Sequence, residues 1–479
     1  MAYEIKNGVG IIPEGTTILE GGAFADCTGL TSVTIPDSVT EIGNSSFKGC
    51  TALTSIVIPE SVTKIGQFAF MDCTALANID IPDSVTFIDT KAFANTGLTS
   101  LPSIRRIGFE VFAGCMGLTS ITIPDSVTWI GYRAFAGCKG LVSVTIPDSV
   151  TKIEAGAYED CSNLTSITVD GKNSKYDSRD NCNAIIETAS NKLIIGCVNT
   201  IIPDTVTEIG GAKGDSLPIG PFQGCLDLTS INIPESVTNI SENAFNGCTD
   251  LTSINIPNSV TKIENGALQR TGLTSVIIPS SVKLLYPNSF DFNRMTSIIV
   301  AEGNTEYDSR DNCNAIIITA SNQLYRGCAN TVIPDSVTSI GRFAFYGCTG
   351  LNSVTIPDSV TEIEPSAFNG CTGLTSVTIP NSVTEIGWDA FEKCTNLKTV
   401  EIKAKLKKLD ETTFKNCSSL ETVTITAGIT RFANDAFEGC TSLKTINVPA
   451  KQGESYKKRL PAELHSLIVE LPPEKKAKK

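Results

Sequence analysis

The stretch Leu30–Gly49 reads LTSVTIPDSVTEIGNSSFKG, and after Cys50 the same phrase starts again at Leu53. Aligned against itself, the chain yields a unit of about 23 residues, L-T-S-V-T-I-P-D-S-V-T-E-I-G-x-x-A-F-x-G-C-T-G, whose leading Leu recurs from Leu30, Leu53 and Leu76 to Leu420 and Leu443. Within a unit, the alternation of Leu30, Val33 and Ile35 with Thr31, Ser32 and Thr34 predicts a short strand with one buried face. Pro36-Asp37-Ser38 reads as a turn, Val39 and Ile42 as a return to the core, and Gly43 as the residue that permits the next reversal. Phe47 and Cys50 close the unit, with Phe47 stacking on Phe24 and Phe70. No unit of this size can bury its apolar face alone, so neighbouring units must stack.

A period of 20 to 29 residues with an L-x-x-L-x-L-like core is the signature of leucine-rich repeats, in which each turn adds one strand to a parallel sheet. The expected fold is a β-rich right-handed solenoid, a leucine-rich repeat horseshoe or curved rod, with two inserted β-hairpins and little helix. The alternation of IPDSVTEIG with AFxGCTGLTSVTIP resembles the BspA-type leucine-rich repeat family of bacterial surface and secreted proteins over roughly residues 9 to 450. The resemblance implies a binding scaffold, with adhesion to host matrix proteins or other bacteria among the roles of its members. It implies no catalytic residue.

Composition narrows the function further. The 479 residues are 41% hydrophobic and 19% charged, which is too apolar for disorder. The 38 Lys and Arg against 51 Asp and Glu give a net charge of −13, which disfavours nucleic acid and anionic membranes as partners. No apolar run is long enough to span a bilayer, and the start MAYEIKNGVGIIPEG lacks the basic and apolar regions of a secretion leader. The location expected from sequence is therefore cytoplasmic, or the cell surface by a leaderless route if the chain acts as the family's adhesins do. The single histidine, His465, rules out a Ser-His-Asp triad or a His zinc site in the repeats. The expectation is a non-enzymatic, cofactor-free, monomeric scaffold that binds a protein, a host matrix component or a glycan. The alternative is an intracellular structural or regulatory interaction protein.

Solenoid residues occupy 1–450, and residues 451–479 read as a C-terminal cap followed by a basic tail ending in EKKAKK. Two segments, at about 170–200 and 301–331, break the period: YDSRDNCNAIIETASNKLIIGC from Tyr176 and YDSRDNCNAIIITASNQLYRGC from Tyr307, offset by 131 residues. Each reads as a hairpin with a two-residue turn at Ala189-Ser190 or its counterpart, which would place Cys182 opposite Cys197 and Cys313 opposite Cys328 and make a cross-strand disulfide possible. Asp177, Asp180, Asp308 and Asp311 fit turn chemistry better than a calcium loop. Of 17 cysteines, 13 share one repeat slot, which points to a ladder of buried thiols.

The outward strand positions are uniform Ser and Thr and carry little address information. Candidate binding residues are bulky side chains in slots that otherwise hold small polar or charged ones. The slot of Glu41 and Lys64 becomes Phe87, Arg106 and Trp129 in three successive units; that of Asn44 and Gln67 becomes Phe109 and Tyr132, followed by Arg133. Stacking should bring these six together as one ridge, and Trp, Tyr and Arg dominate interface hot spots. Packing around the shortened repeat at Leu98 is the competing explanation. Trp388, Phe68 and Phe343 occupy comparable slots singly and need less explanation.

Overall fold

A computed structural model describes residues 3–212 and 218–473; the EKKAKK tail lies outside the described residues. The chain is a β-solenoid with almost no helix, the one α-helix among the described residues being Gly453–Lys457. Two compact units are present. The first runs to Gly272 and includes Asn288–Phe290; the second comprises Leu273–Pro287 and the residues from Asp291 on.

In the first unit each coil contributes up to two short strands, each pairing in parallel with its counterpart in the next coil. Ser32–Thr34 pairs with Ser55–Val57, Ser32 facing Ser55 and Val33 facing Ile56, while Glu41–Ile42 pairs with Lys64–Ile65. The 23-residue period is thus the strand register itself. The third side of the coil is a stack of turns whose backbones also bond coil to coil, as from Phe47 N to Ala69 O at 2.8 Å. Leu30, Val33, Ile35, Val39, Ile42, Phe47 and Cys50 are all buried. The phenyl rings stack face to face, with centroids 5.5 Å apart from Phe24 to Phe47 and 5.2 Å from Phe47 to Phe70. The second unit repeats the arrangement from Phe345 to Phe437.

In the coil that follows Leu53, three polar side chains fasten it to its predecessor by donating to backbone carbonyls. Ser61 Oγ bonds Val39 O at 2.7 Å, Thr63 Oγ1 bonds Thr40 O at 3.2 Å, and Cys73 Sγ bonds Phe47 O at 3.0 Å. The Pro-Asp-Ser turn is present, closed by Val39 N on Pro36 O. Gly43, expected to supply the reversal, has another role: a Cβ there would lie 2.4 Å from Leu19 O of the preceding coil. The left-handed residues of that coil are Ser45 and Gly49.

The shortened repeat interrupts the ladder. Phe87–Ile88 ends one four-stranded sheet, and pairing resumes with the bridge from Ile107 to Ile130. Each period-breaking segment folds as three antiparallel strands that re-enter the ladder; in the first, Tyr176–Asp177, Ile185–Glu187 and Lys192–Ile195 lead into the parallel strand Glu208–Ile209. The turn is longer than expected: Glu187 pairs with Lys192, so residues 188–191 form it, and a bulge lies between Ile185 and Ile186. Asn191, left-handed at φ 54°, makes the wider turn possible. All four hairpin cysteines are free and buried. Cys197 Sγ turns to Asn183 O and Cys182 Sγ to Ala184 O instead of to each other. Burial would raise the Asp177 carboxyl, but the Arg179 guanidinium, bonded through Nε at 2.7 Å, holds it low. Gly196 and Gly327 make room for the next phenyl ring, since a Cβ would lie 2.2 Å from Phe222 and 2.1 Å from Phe345.

At the C-terminal end, Ile468–Glu470 adds a parallel strand beside Thr445–Val448. The Tyr456 hydroxyl, carried by the helix Gly453–Lys457, donates to Ala427 O and accepts from Ile429 N.

Two predictions follow from the packing. Desolvation pushes the Cys50 and Cys73 thiols up to about 12, so at pH 8 these two are protonated as well as shielded. Ellman's reagent on native protein should first reach the half-buried Cys27, Cys225 and Cys440, and the others only after denaturation. Tyr158 occupies the Phe slot, stacked on Phe135 at 5.3 Å, and its buried hydroxyl has no partner among the described residues. Tyr158→Phe should therefore raise stability by about 1 kcal/mol, read from the midpoint of urea unfolding.

Candidate functional site

Four of the six candidate residues meet on one corner of the first unit, where the second strand of the coil turns into the stacked turns. Trp129 opens the strand Trp129–Ile130 and Tyr132 follows it by two residues; Arg106 and Phe109 hold the same two slots one coil earlier. Phe109 meets Trp129 edge-on at 5.6 Å and Tyr132 edge-on at 6.4 Å. The Arg106 guanidinium lies 4.7 Å from the Trp129 ring centre, within cation–π range. Phe109 is 44% exposed and Arg106 is exposed, while Trp129 and Tyr132 are half-buried.

Glu154 underpins the corner. It stands in the slot that Gly131 fills one coil earlier, and its carboxylate accepts from Trp129 Nε1 at 3.2 Å, Tyr132 N at 3.1 Å and Lys152 Nζ at 2.7 Å. These bonds fix the indole at both ends, because Arg106 stacks on its ring and Glu154 holds its N–H. A rigid amphipathic ring presented in this way loses little conformational freedom when it meets a partner.

The other two candidates stand apart. Phe87 is 46% exposed on its own strand beside Lys64, on the far side of the interruption in the ladder. Arg133 turns away from the ridge because the buried carboxylate of Glu159 draws it in, at 3.0 Å between Nε and Oε2. Desolvation raises the Glu159 carboxyl, while Arg133 acts in the opposite direction. The ridge of six is therefore a corner of four with Glu154 as buttress. Glu154 was not legible beforehand, since a Glu in a Gly slot also occurs at Glu264 and Glu364.

A second aromatic corner, in the second unit, escaped the sequence reading. Arg342 lies 4.8 Å from the Phe343 ring centre and 5.2 Å from that of Trp388, and Phe343 meets Tyr346 edge-on at 5.5 Å. Tyr346 is 51% and Trp388 42% exposed. Glu364, in the Gly slot of the next coil, accepts from Arg342 N at 2.9 Å as Glu154 does from Tyr132 N. Sequence treated Trp388 and Phe343 as isolated because they sit in different slots two coils apart.

Among the described residues, no group of three or more His, Cys, Asp or Glu side chains is arranged to hold a metal ion. No described helix is long and apolar enough to cross a membrane. His465 lies in the C-terminal segment, its Nε2 3.0 Å from Leu460 O.

The chain matches the family model "BspA type Leucine rich repeat region (6 copies)" over residues 9–103, 99–210, 216–326 and 318–444. Among solved structures it is similar to a leucine rich cell surface protein from Faecalibacterium prausnitzii, with 28% identity, 74% of this chain and 88% of that chain covered, and a TM-score of 0.44. A leucine-rich repeat protein from Bacteroides ovatus aligns at 25% identity over 92% of both chains, with a TM-score of 0.38. The pneumococcal vaccine antigen PcpA aligns at 18% identity over 74% of this chain and 89% of that chain, with a TM-score of 0.48. Curated protein sequences give no match. With its repeat register, its thiol and phenyl ladders and a family match over most of its length, the chain belongs to the BspA-type leucine-rich repeat family.

Proposed function

We propose that this protein is a non-catalytic scaffold that binds a protein partner through the Arg106, Phe109, Trp129 and Tyr132 corner, in the manner of a bacterial adhesin. Leucine-rich repeats of this kind are generally protein-binding scaffolds. The observation that carries the reading is a partly exposed, pre-positioned aromatic–arginine cluster in slots where neighbouring coils carry Glu41, Lys64, Asn44 and Gln67. Folding does not require Trp there, and clusters of Trp, Tyr and Arg concentrate binding energy. The second reading, an intracellular interaction protein, is favoured by the free thiols. Cell fractionation combined with surface proteolysis of the producing cells separates the two.

A photocrosslinking amino acid at position 109 should capture the partner, whereas the same group at Ser253, an exposed position in the first unit, should not. Against that partner, Trp129→Ala should weaken binding by about 2 kcal/mol, a loss of roughly 30-fold. Because the indole also bonds Glu154, urea unfolding is measured in parallel. Unchanged binding with reduced stability would assign the corner to packing alone.

A further inference from the structure

In the first unit, charged residues stacked in the second strand of successive coils meet a partner of opposite sign. Glu41 pairs with Lys64 at 2.7 Å, and Lys192 with Glu208 at 2.8 Å. In the second unit like charges meet instead, Lys408 facing Arg431 in register. Glu362 and Glu385 face each other in register on adjacent parallel strands, both are exposed, and among the described residues neither has an ion-pair or hydrogen-bond partner. Lys408, in the corresponding slot of the next coil, is already paired with Asp410. Like charges placed directly opposite each other destabilise a sheet, so folding gives no reason for them. Burial, followed by the charges of Glu364 and Glu385, pushes the Glu362 carboxyl up, which places the three carboxylates in one field.

The second aromatic corner adjoins this acidic strip. Glu364 holds Arg342 N, and the Arg342 guanidinium bridges Phe343 and Trp388. Glu362 and Glu385 open the strands that lead to Glu364 and Trp388; Lys393, near Tyr346, is paired with Glu392 at 3.0 Å. Exposed rings beside unpaired carboxylates suit side chains with an apolar stem and a cationic head.

We propose that this corner docks a basic segment of a protein partner, with Tyr346 and Trp388 taking the aliphatic stems and Glu362 and Glu385 the charged heads of its Lys or Arg residues. The observations are separate from those on the Trp129 corner, and so is the test. A fluorescein-labelled, lysine-rich decapeptide is titrated by anisotropy at low salt against the full chain, with a glutamine-for-lysine peptide as control. The lysine peptide should bind, and binding should weaken as salt rises. Trp388→Ala and the double variant Glu362→Gln/Glu385→Gln should each weaken it by about tenfold. Asp125→Asn/Asp148→Asn changes the net charge equally at exposed turn positions of the first unit and should leave binding within about twofold, as should Trp129→Ala. In a Trp129→Phe background, emission from Trp388 should shift on titration. Equal losses from the two double variants would reduce the effect to net charge. Failure of the wild type to bind, or unaltered affinity in Trp388→Ala, would overturn the proposal. Circular dichroism on each variant, with Tyr346→Ala as a second probe of the rings, guards against misfolding.

Discussion

Every coil of this protein completes its core and its hydrogen bonds only with the same positions of the next coil. Rings stack at 4.9 to 5.8 Å, close to the ~4.8 Å between neighbouring strands, so each phenyl meets its own counterpart 23 residues on. Ser, Thr and Cys donate to the coil behind. A residue that differed would leave its neighbours on both sides without their proper contact, which is why the motif recurs with so little drift. Stability in such an array is a sum of neighbouring interfaces rather than the property of one centre.

That constraint also explains how the array tolerates its two interruptions. Each hairpin takes up the ladder with its own strands and satisfies the neighbouring coil through a side chain: Tyr176 OH accepts from Ile153 N, and Tyr307 OH from Leu285 N. The second hairpin goes further. Arg326, buried where the first has Ile195, donates to the carbonyls of Pro287, Tyr325 and Arg342. A guanidinium buried without a carboxylate is tolerated because backbone carbonyls satisfy it.

The two aromatic corners depart from the regular body in the same way. Both sit at the turn after the second strand, and both carry a Glu in a slot usually held by Gly, with its carboxylate on the backbone N–H of the coil before. In the second corner Arg342 reaches Trp388 two coils away; the intervening slot holds Pro365, whose compact ring leaves the path open. The first corner was visible in the sequence because its bulky residues fall in matching slots of successive coils. The second was not, because Arg342 and Trp388 share a slot two coils apart with Pro365 between them, and Phe343 stands in the next slot.

The sequence by itself determined the solenoid, the strand register, the stacking of the phenyl rings and the shared slot of the thiols, since all of these repeat and a repeat is legible without coordinates. It also placed the two insertions and four residues of the first corner. Tertiary structure decided what depends on single side chains reaching between coils. Arg133 left the ridge for Glu159, the hairpin thiols turned to nearby carbonyls, Gly43 proved to be a point of close approach, and Arg342 joined Phe343 to Trp388. Such choices are made by local differences in charge and space between otherwise equivalent coils, and periodicity, which records only what the coils share, carries no trace of them.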